Sequence, residues 1–148
     1  MKGLVHMTRL IKQIEINASP EGVWAVLGDL AATPNWLPGT VSARVDDSTR
    51  LCVMADGAEV LEQIDDYSTV DLTYRWRHLQ VPLAVRDSHG TFRVVADGGG
   101  AMIVLETDFE PLDPGRDSEV TAMIGGAYQE SLEALRRFIE EGTRWNDA

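Results

Sequence analysis

The chain has 148 residues, of which 44% are hydrophobic and 25% are charged. These values are typical of one globular domain, and they exclude a disordered or collagen-like chain and a two-domain enzyme with a separate nucleotide-binding half. With 24 acidic against 13 basic residues the formal charge is −11, which excludes nucleic acid as a partner and disfavours an anionic bilayer surface.

The cysteine content and the N-terminal sequence indicate a cytoplasmic protein. Cys52 is the single cysteine, so the chain can form neither an internal disulfide nor a multi-cysteine metal site. No apolar run reaches the roughly 20 residues that span a bilayer, and the N-terminus lacks the features of a signal peptide. We therefore expect no integral membrane association. We also expect one domain over residues 1–148, in which residues 1–8 form a loose extension.

The first predicted elements are a strand and two short helices. Residues 9–16 alternate in polarity with a period close to two, which predicts a strand. Ser19 can cap a helix, and Pro20 suits its first position, so a helix is predicted to begin there. Pro34 and Pro38 bracket a second short helical turn.

Residues 40–110 consist of short runs rich in β-branched and aromatic residues, separated by the Asp and Gly residues of tight hairpins. The pattern predicts an antiparallel meander of strands over residues 40–45, 50–55, 59–65, 70–76, 91–96 and 101–109, with a start of the fifth run near Val85 left open. Apolar residues then recur three and four apart, which predicts a long amphipathic helix over about residues 116–141, ended by Gly142.

This order of elements predicts an α+β fold. A curved, seven-stranded antiparallel sheet must bury one face, and the long C-terminal helix is the only large element available to cover it. A strongly curved sheet cannot touch one helix along its whole inner face. We therefore expect a cavity between the two.

A series of short motifs resembles a known family in both its order and its spacing. The motifs are ASPEGVW at residues 18–24, NWLP at residues 35–38, Glu62, Tyr74, Val81 with Pro82, FEP at residues 109–111, and the closing Tyr128, Leu132 and Leu135. The chain resembles the polyketide cyclase/dehydrase-like branch of the START/birch-pollen-allergen superfamily, known as SRPBCC. The resemblance implies a helix-grip fold with an internal pocket for an apolar small molecule. It departs at Leu105, where many relatives carry tryptophan.

Sequence motifs for nucleotide, metal or serine-hydrolase chemistry do not occur in the chain. The three histidines, His6, His78 and His89, lack metal-ligand spacing and are expected at the surface. We accordingly expect neither a metal nor another cofactor.

Glu62 and Tyr74 are the candidate catalytic residues. Strand parity places Glu62 with Val60 on the apolar face of its strand. A carboxylate there either forms a structural ion pair with an arginine of a neighbouring strand, such as Arg50 or Arg75, or acts as an acid or anchor towards a ligand. A buried Tyr74 hydroxyl in an apolar chamber can orient a ligand.

The predicted pocket is formed by the positions that face inward on the strands and on the last helix. Its expected ligand-binding residues are Trp36, Val60, Glu62, Leu72, Tyr74, Trp76, Phe92, Val94, Ile103, Leu105, Ile124 and Tyr128. Trp36 is placed near an entrance bordered by residues 55–58 and 77–84.

Two functions are compatible with such a pocket. The first is binding or transport of a hydrophobic small molecule that is lipid-, polyketide- or isoprenoid-like, and the alternative is a cyclase, aromatase or dehydratase that uses the same cavity. Binding is favoured because ring-forming catalysis needs several converging ionisable groups. A third reading is a pocket filled by its own side chains in a protein that only binds partners. A homodimer is left open.

Overall fold

A computed structural model describes residues 7–147 of the chain. Its strands are β1 (Thr8–Ile16), β2 (Thr40–Asp46), β3 (Thr49–Met54), β4 (Glu59–Ser68), β5 (Thr73–Gln80), β6 (Val85–Asp97) and β7 (Gly100–Pro111). Its α-helices are α1 (Pro20–Leu27) and α2 (Asp117–Glu141), and 3-10 helices cover Leu30–Asn35 and Pro114–Arg116. No helix within residues 7–147 has both the length and the apolar character needed to cross a membrane.

The seven strands form one antiparallel sheet in the order β1-β7-β6-β5-β4-β3-β2. From β2 to β7 every strand pairs with the next strand along the chain, as the meander prediction requires. Leu132 and Leu135 of α2 pack into the same buried cluster as the inner side chains of the sheet. The α+β helix-grip prediction is confirmed.

The predicted start of α1 is confirmed in its detail. The Ser19 hydroxyl accepts a hydrogen bond from the Gly22 amide at 3.0 Å, and Pro20 occupies the first turn. Val23, Trp24 and Leu27 are buried. The helix thus packs against the inner side chains of the sheet and leads into the first 3-10 helix.

The hairpin between β6 and β7 explains one cluster of glycines. Its two loop residues, Gly98 and Gly99, have φ of +52° and +93°. A two-residue turn with positive φ at both positions matches the twist of the flanking strands, and glycine adopts it without a steric penalty. Residues 98–100 therefore make a tight turn, as the sequence predicts.

Several predicted boundaries are wrong, including the end of β5, which lies at Gln80 instead of residue 76. Thr8 is the first residue of β1 instead of part of an extension, whereas residues 1–6 lie outside the described part of the chain. β5 begins at Thr73 instead of residue 70, because Val70 is 92% exposed and Leu72 has a left-handed φ of 55°. β4 extends to Ser68, whose hydroxyl accepts from the Asp71 amide at 3.0 Å and closes the turn before β5.

The long helix agrees with the prediction to within one residue at its start. α2 ends at Glu141, and Gly142 follows with φ +72° while its amide donates to the Phe138 carbonyl at 3.0 Å. This is the left-handed C-terminal cap expected of glycine. The helix buries Val120 and Ile124 near its start and Leu132 and Leu135 further on.

Candidate ligand-binding site

A cavity of about 180 Å³ lies between the inner face of the sheet, the middle of α2 and the end of the first 3-10 helix. Apolar and aromatic side chains form most of its wall. Eight of the twelve predicted residues line the cavity, namely Trp36, Val60, Glu62, Tyr74, Trp76, Phe92, Leu105 and Tyr128.

The other four predicted residues lie elsewhere in the interior. Val94 and Ile103 belong to the main buried cluster, and Ile124 belongs to a second cluster with Val85 and Phe109. Leu72 lies in the turn before β5 and has a left-handed backbone conformation. It therefore does not belong to the alternation of inward- and outward-facing side chains along β5, in which Tyr74 takes part. These four positions pack the core and do not line the cavity.

Only some of the residues predicted to border the entrance lie on the cavity wall. Val81 and Leu83, from the connection after β5, line the cavity, but residues 77–80 are strand. Residues 55–58 contribute no lining side chain, although Met54 just before them does. Trp36 lines the wall but is only 3% exposed, so it lies beneath the surface.

Arg50 and Glu62 form a buried ion pair on the cavity wall. The two residues face each other across β3 and β4, and Arg50 Nε donates to Glu62 Oε1 at 2.9 Å. Arg50 Nη1 donates to Thr33 Oγ1 at 3.0 Å, and the guanidinium carbon lies 5.8 Å from the centroid of the Tyr74 ring. Of the alternatives for Glu62, the geometry confirms the ion pair with a neighbouring-strand arginine. Arg75 instead reaches Asp66 at the surface.

The side chain of His78 lies next to this pair and is only 10% exposed, so its predicted surface position is wrong. Its Nδ1 shares a hydrogen bond of 2.9 Å with Ser88 Oγ, and its Nε2 lies 3.9 Å from Glu62 Oε2. Burial lowers the pKa of His78, and the positive charge of Arg50 lowers it too, while Glu62 opposes both effects. The imidazole is therefore neutral at pH 7. His89 lies half-exposed in β6, and His6 is outside the described residues.

The neutrality of His78 predicts a pH dependence of stability. Its folded pKa lies below the ordinary value of about 6.5, so below that pH the unfolded chain takes up the proton more readily and stability is lost. We expect the unfolding free energy of the wild type, relative to that of a His78→Gln variant, to fall between pH 7.5 and pH 5. Urea denaturation of both proteins at each pH measures this difference. A relative gain on acidification would instead mean that Glu62 dominates and raises the pKa of His78.

The remaining titratable groups of the wall are uncharged at neutral pH. Burial raises the pKa of Tyr128 to about 12 and that of Cys52 to about 11. Burial is also the main reason that the pKa of Tyr74 is raised. One positive and one negative charge, paired with each other, are therefore the charges that face this cavity.

Ten lining residues were not among the predicted ligand-binding residues. They are Thr33, Leu37, Arg50, Cys52, Met54, His78, Val81, Leu83, Ser131 and Leu132. Strand parity could have found His78, which follows Tyr74 and Trp76 at intervals of two on the same face of β5. No group of three or more His, Cys, Asp or Glu side chains within residues 7–147 is arranged to hold a metal ion.

The fold and the largely apolar cavity define a ligand-binding helix-grip domain of the SRPBCC superfamily. Residues 7–140 match the sequence profile of the family described as polyketide cyclase / dehydrase and lipid transport. The match covers most of the chain, and the chain belongs to this family. A comparison with curated proteins finds no match.

Solved structures with the same fold come from several different organisms. An uncharacterised protein of Bacillus thuringiensis superposes with a TM-score of 0.82 at 22% identity, over 89% of this chain and 98% of that one. A START superfamily protein of Mycobacterium smegmatis gives 0.75 at 19% identity, over 91% and 99%. A point mutant of norcoclaurine synthase from Thalictrum flavum, in complex with a transition-state analogue, gives 0.74 at 17% identity, over 95% and 99%. At these identities the likeness establishes the shared fold.

Proposed function

We propose that this protein binds a compact, largely apolar small molecule in the cavity between the sheet and α2, without altering it chemically. The observation that carries the proposal is the cavity itself: its wall is mostly apolar and aromatic, and its one charged pair is internally neutralised. Apolar walls with a few placed polar groups are typical of small-molecule sites.

The volume sets the size of the ligand. An apolar cavity of about 150 Å³ can bind benzene. The cavity here measures about 180 Å³, which suits a single substituted ring or a molecule of similar bulk. Within the lipid-, polyketide- or isoprenoid-like ligands expected from the sequence, this volume favours short or monocyclic ones. Transport of a long acyl chain would require the wall to move.

We predict that filling the cavity abolishes binding. Leu105 is a wall residue that is 1% exposed, so Leu105→Trp should place an indole in the space that a ligand needs. We expect the affinity for one-ring probes, ethylbenzene and acetophenone, to fall at least tenfold. Binding is followed by NMR titration of amide signals, with circular dichroism to verify the fold.

The matched control for that experiment is Leu79→Trp, which adds the same side chain at a β5 position that is 47% exposed. This variant should bind both probes as the wild type does. A folded Leu105→Trp protein with unchanged affinity would show that Leu105 is not part of the binding site. A wild type that binds neither probe would refute the proposed function.

Catalysis in the same cavity is the second candidate, and one observation favours it. His78 is neutral at pH 7, lines the cavity and lies 3.9 Å from the Glu62 carboxylate, which is an arrangement able to move a proton. Cyclisation or dehydration of a linear polycarbonyl compound by the wild type, but not by His78→Gln, would support this candidate. Product formation by both proteins, or by neither, would count against it.

A further inference from the structure

Three hydrogen-bond donors on the cavity wall have no partner within residues 7–147. They are the indole nitrogens of Trp36 and Trp76 and the hydroxyl of Tyr74, each of which is fully buried. All three residues line the same cavity. Buried donors are normally paired, and one left unpaired carries its whole desolvation cost. Because all three groups belong to residues of one cavity wall, we look for the missing acceptor in a molecule bound in that cavity.

Arg50 lies on the same wall, and its hydrogen bonds to Glu62 and Thr33 use Nε and Nη1. The Thr33 hydroxyl cannot serve as a free donor, because it already donates to the Leu30 carbonyl at 2.7 Å. The three fully buried polar groups without a partner in the described part of the chain are therefore all able to donate a hydrogen bond.

The charge of the wall is balanced. Arg50 is matched by Glu62 at 2.9 Å, and the two tyrosines that line the cavity are uncharged. An anionic ligand would meet the Glu62 carboxylate as well as the guanidinium, so it gains little from Arg50. A cationic ligand would find several donors and one carboxylate that is already engaged.

We infer that the cavity takes an uncharged molecule about the size of one substituted ring, whose polar atom is a hydrogen-bond acceptor such as a carbonyl oxygen. This inference rests on the proposed binding function and adds the chemical class of the ligand. The acceptor oxygen takes a hydrogen bond from at least one of the unpaired donors of Trp36, Tyr74 and Trp76, and the ring occupies the apolar remainder.

The test compares ethylbenzene, acetophenone and benzoate, which share a ring and differ in having no polar group, a neutral acceptor or an anionic one. Acetophenone should bind the wild type at least as tightly as ethylbenzene, because the donors of the wall replace the water that solvates its carbonyl. Without those donors, the loss of that water would make acetophenone the weaker ligand. Benzoate should bind at least tenfold more weakly than acetophenone. Tighter binding of benzoate would overturn the inference that the ligand is uncharged.

A matched pair of tyrosine variants tests the role of the donors. Tyr74→Phe removes only the unpaired hydroxyl. It should lower the affinity for acetophenone relative to that for ethylbenzene about fivefold, which corresponds to the loss of one net hydrogen bond. Tyr67→Phe is the control, because the Tyr67 hydroxyl already donates to the Gly28 carbonyl at 2.7 Å and lies outside this cavity. It should leave the ratio unchanged.

The wild type supplies a second readout that needs no variant. The indole N–H protons of Trp36 or Trp76 should move downfield with acetophenone and not with ethylbenzene. The indole of Trp145, which already donates to the Pro34 carbonyl at 2.8 Å, serves as the internal reference. The inference would be overturned if both probes bind, no indole signal shifts, and Tyr74→Phe has the same ratio of acetophenone to ethylbenzene affinity as the wild type. The proposed function would still stand in that case. Failure of both probes to bind would refute the function itself.

Discussion

Glu62→Gln should lower the free energy of unfolding by about 3 kcal/mol, because it removes one partner of a buried ion pair and leaves the other charge unpaired. Arg50 is 4% exposed, and Glu62 accepts from its Nε at 2.9 Å. A glutamine side chain can still accept that hydrogen bond, but it cannot neutralise the guanidinium. Urea denaturation at pH 7 measures the loss.

The control for this variant is Glu59→Gln, which makes the same chemical change at an exposed position of β4. Its stability should stay within about 0.5 kcal/mol of the wild type, as for other surface substitutions. The double variant Arg50→Met/Glu62→Leu should regain most of the loss, since apolar replacement of a buried pair is often neutral.

The same measurements separate the two roles considered for Glu62. A structural role predicts lower stability with nearly unchanged affinity for acetophenone. If Glu62 acts on the ligand instead, the substitution should weaken binding while stability is unchanged or improved. The latter outcome would contradict the assignment of the Arg50–Glu62 pair as primarily structural.

Gly90→Ala should be nearly as destabilising, for a steric reason. Gly90 faces Trp76 across β5 and β6, and the Trp76 ring lies directly over it. A methyl group at Gly90 would collide with that ring and lie 2.6 Å from the Glu106 carbonyl oxygen. Because neither neighbour is a flexible chain end, we expect a loss of about 2–3 kcal/mol, within the range of core overpacking.

The collision should also change the binding site. Trp76 lines the cavity, so displacing its ring reduces the space for a ligand, and the affinity for acetophenone should fall together with stability. The control is Gly126→Ala on the exposed side of α2, where a methyl group meets no atom within 4 Å. That variant should gain about 0.5–1 kcal/mol from helix propensity and bind normally. Unchanged stability in Gly90→Ala would show that Trp76 is not packed against Gly90.

Much of the site follows from strand parity alone. In a paired strand, alternate side chains face the same side, so the apolar neighbours of Glu62 and Tyr74 were enough to predict that both point inward. The partner of Glu62 depends on register, and the sequence offers two arginines at suitable distances along the chain. Only the pairing of β3 with β4 selects Arg50.

The other errors arise where tertiary structure decides. The angle at which α2 crosses the sheet decides which turn of the helix covers the cavity. The sequence does not reveal this angle, so Ile124 was predicted to line the cavity, whereas Ser131 and Leu132 do so. Thr33 comes from an irregular segment, in which side-chain direction has no simple period. Leu72 was misplaced because its left-handed backbone, uncommon for a leucine, breaks the alternation of a strand.

The position of β1 in the sheet has a consequence for the order of folding. β2 to β7 can pair as successive hairpins while the chain is being made, but β1 pairs only with β7, where Thr8 faces Phe109. β1 therefore cannot pair with its neighbour until β7, the last strand of the sheet, has been synthesised. Until it docks, the largely buried β7 is an open sheet edge, which is the kind of surface at which nascent chains aggregate. The strand that is made first closes the sheet last.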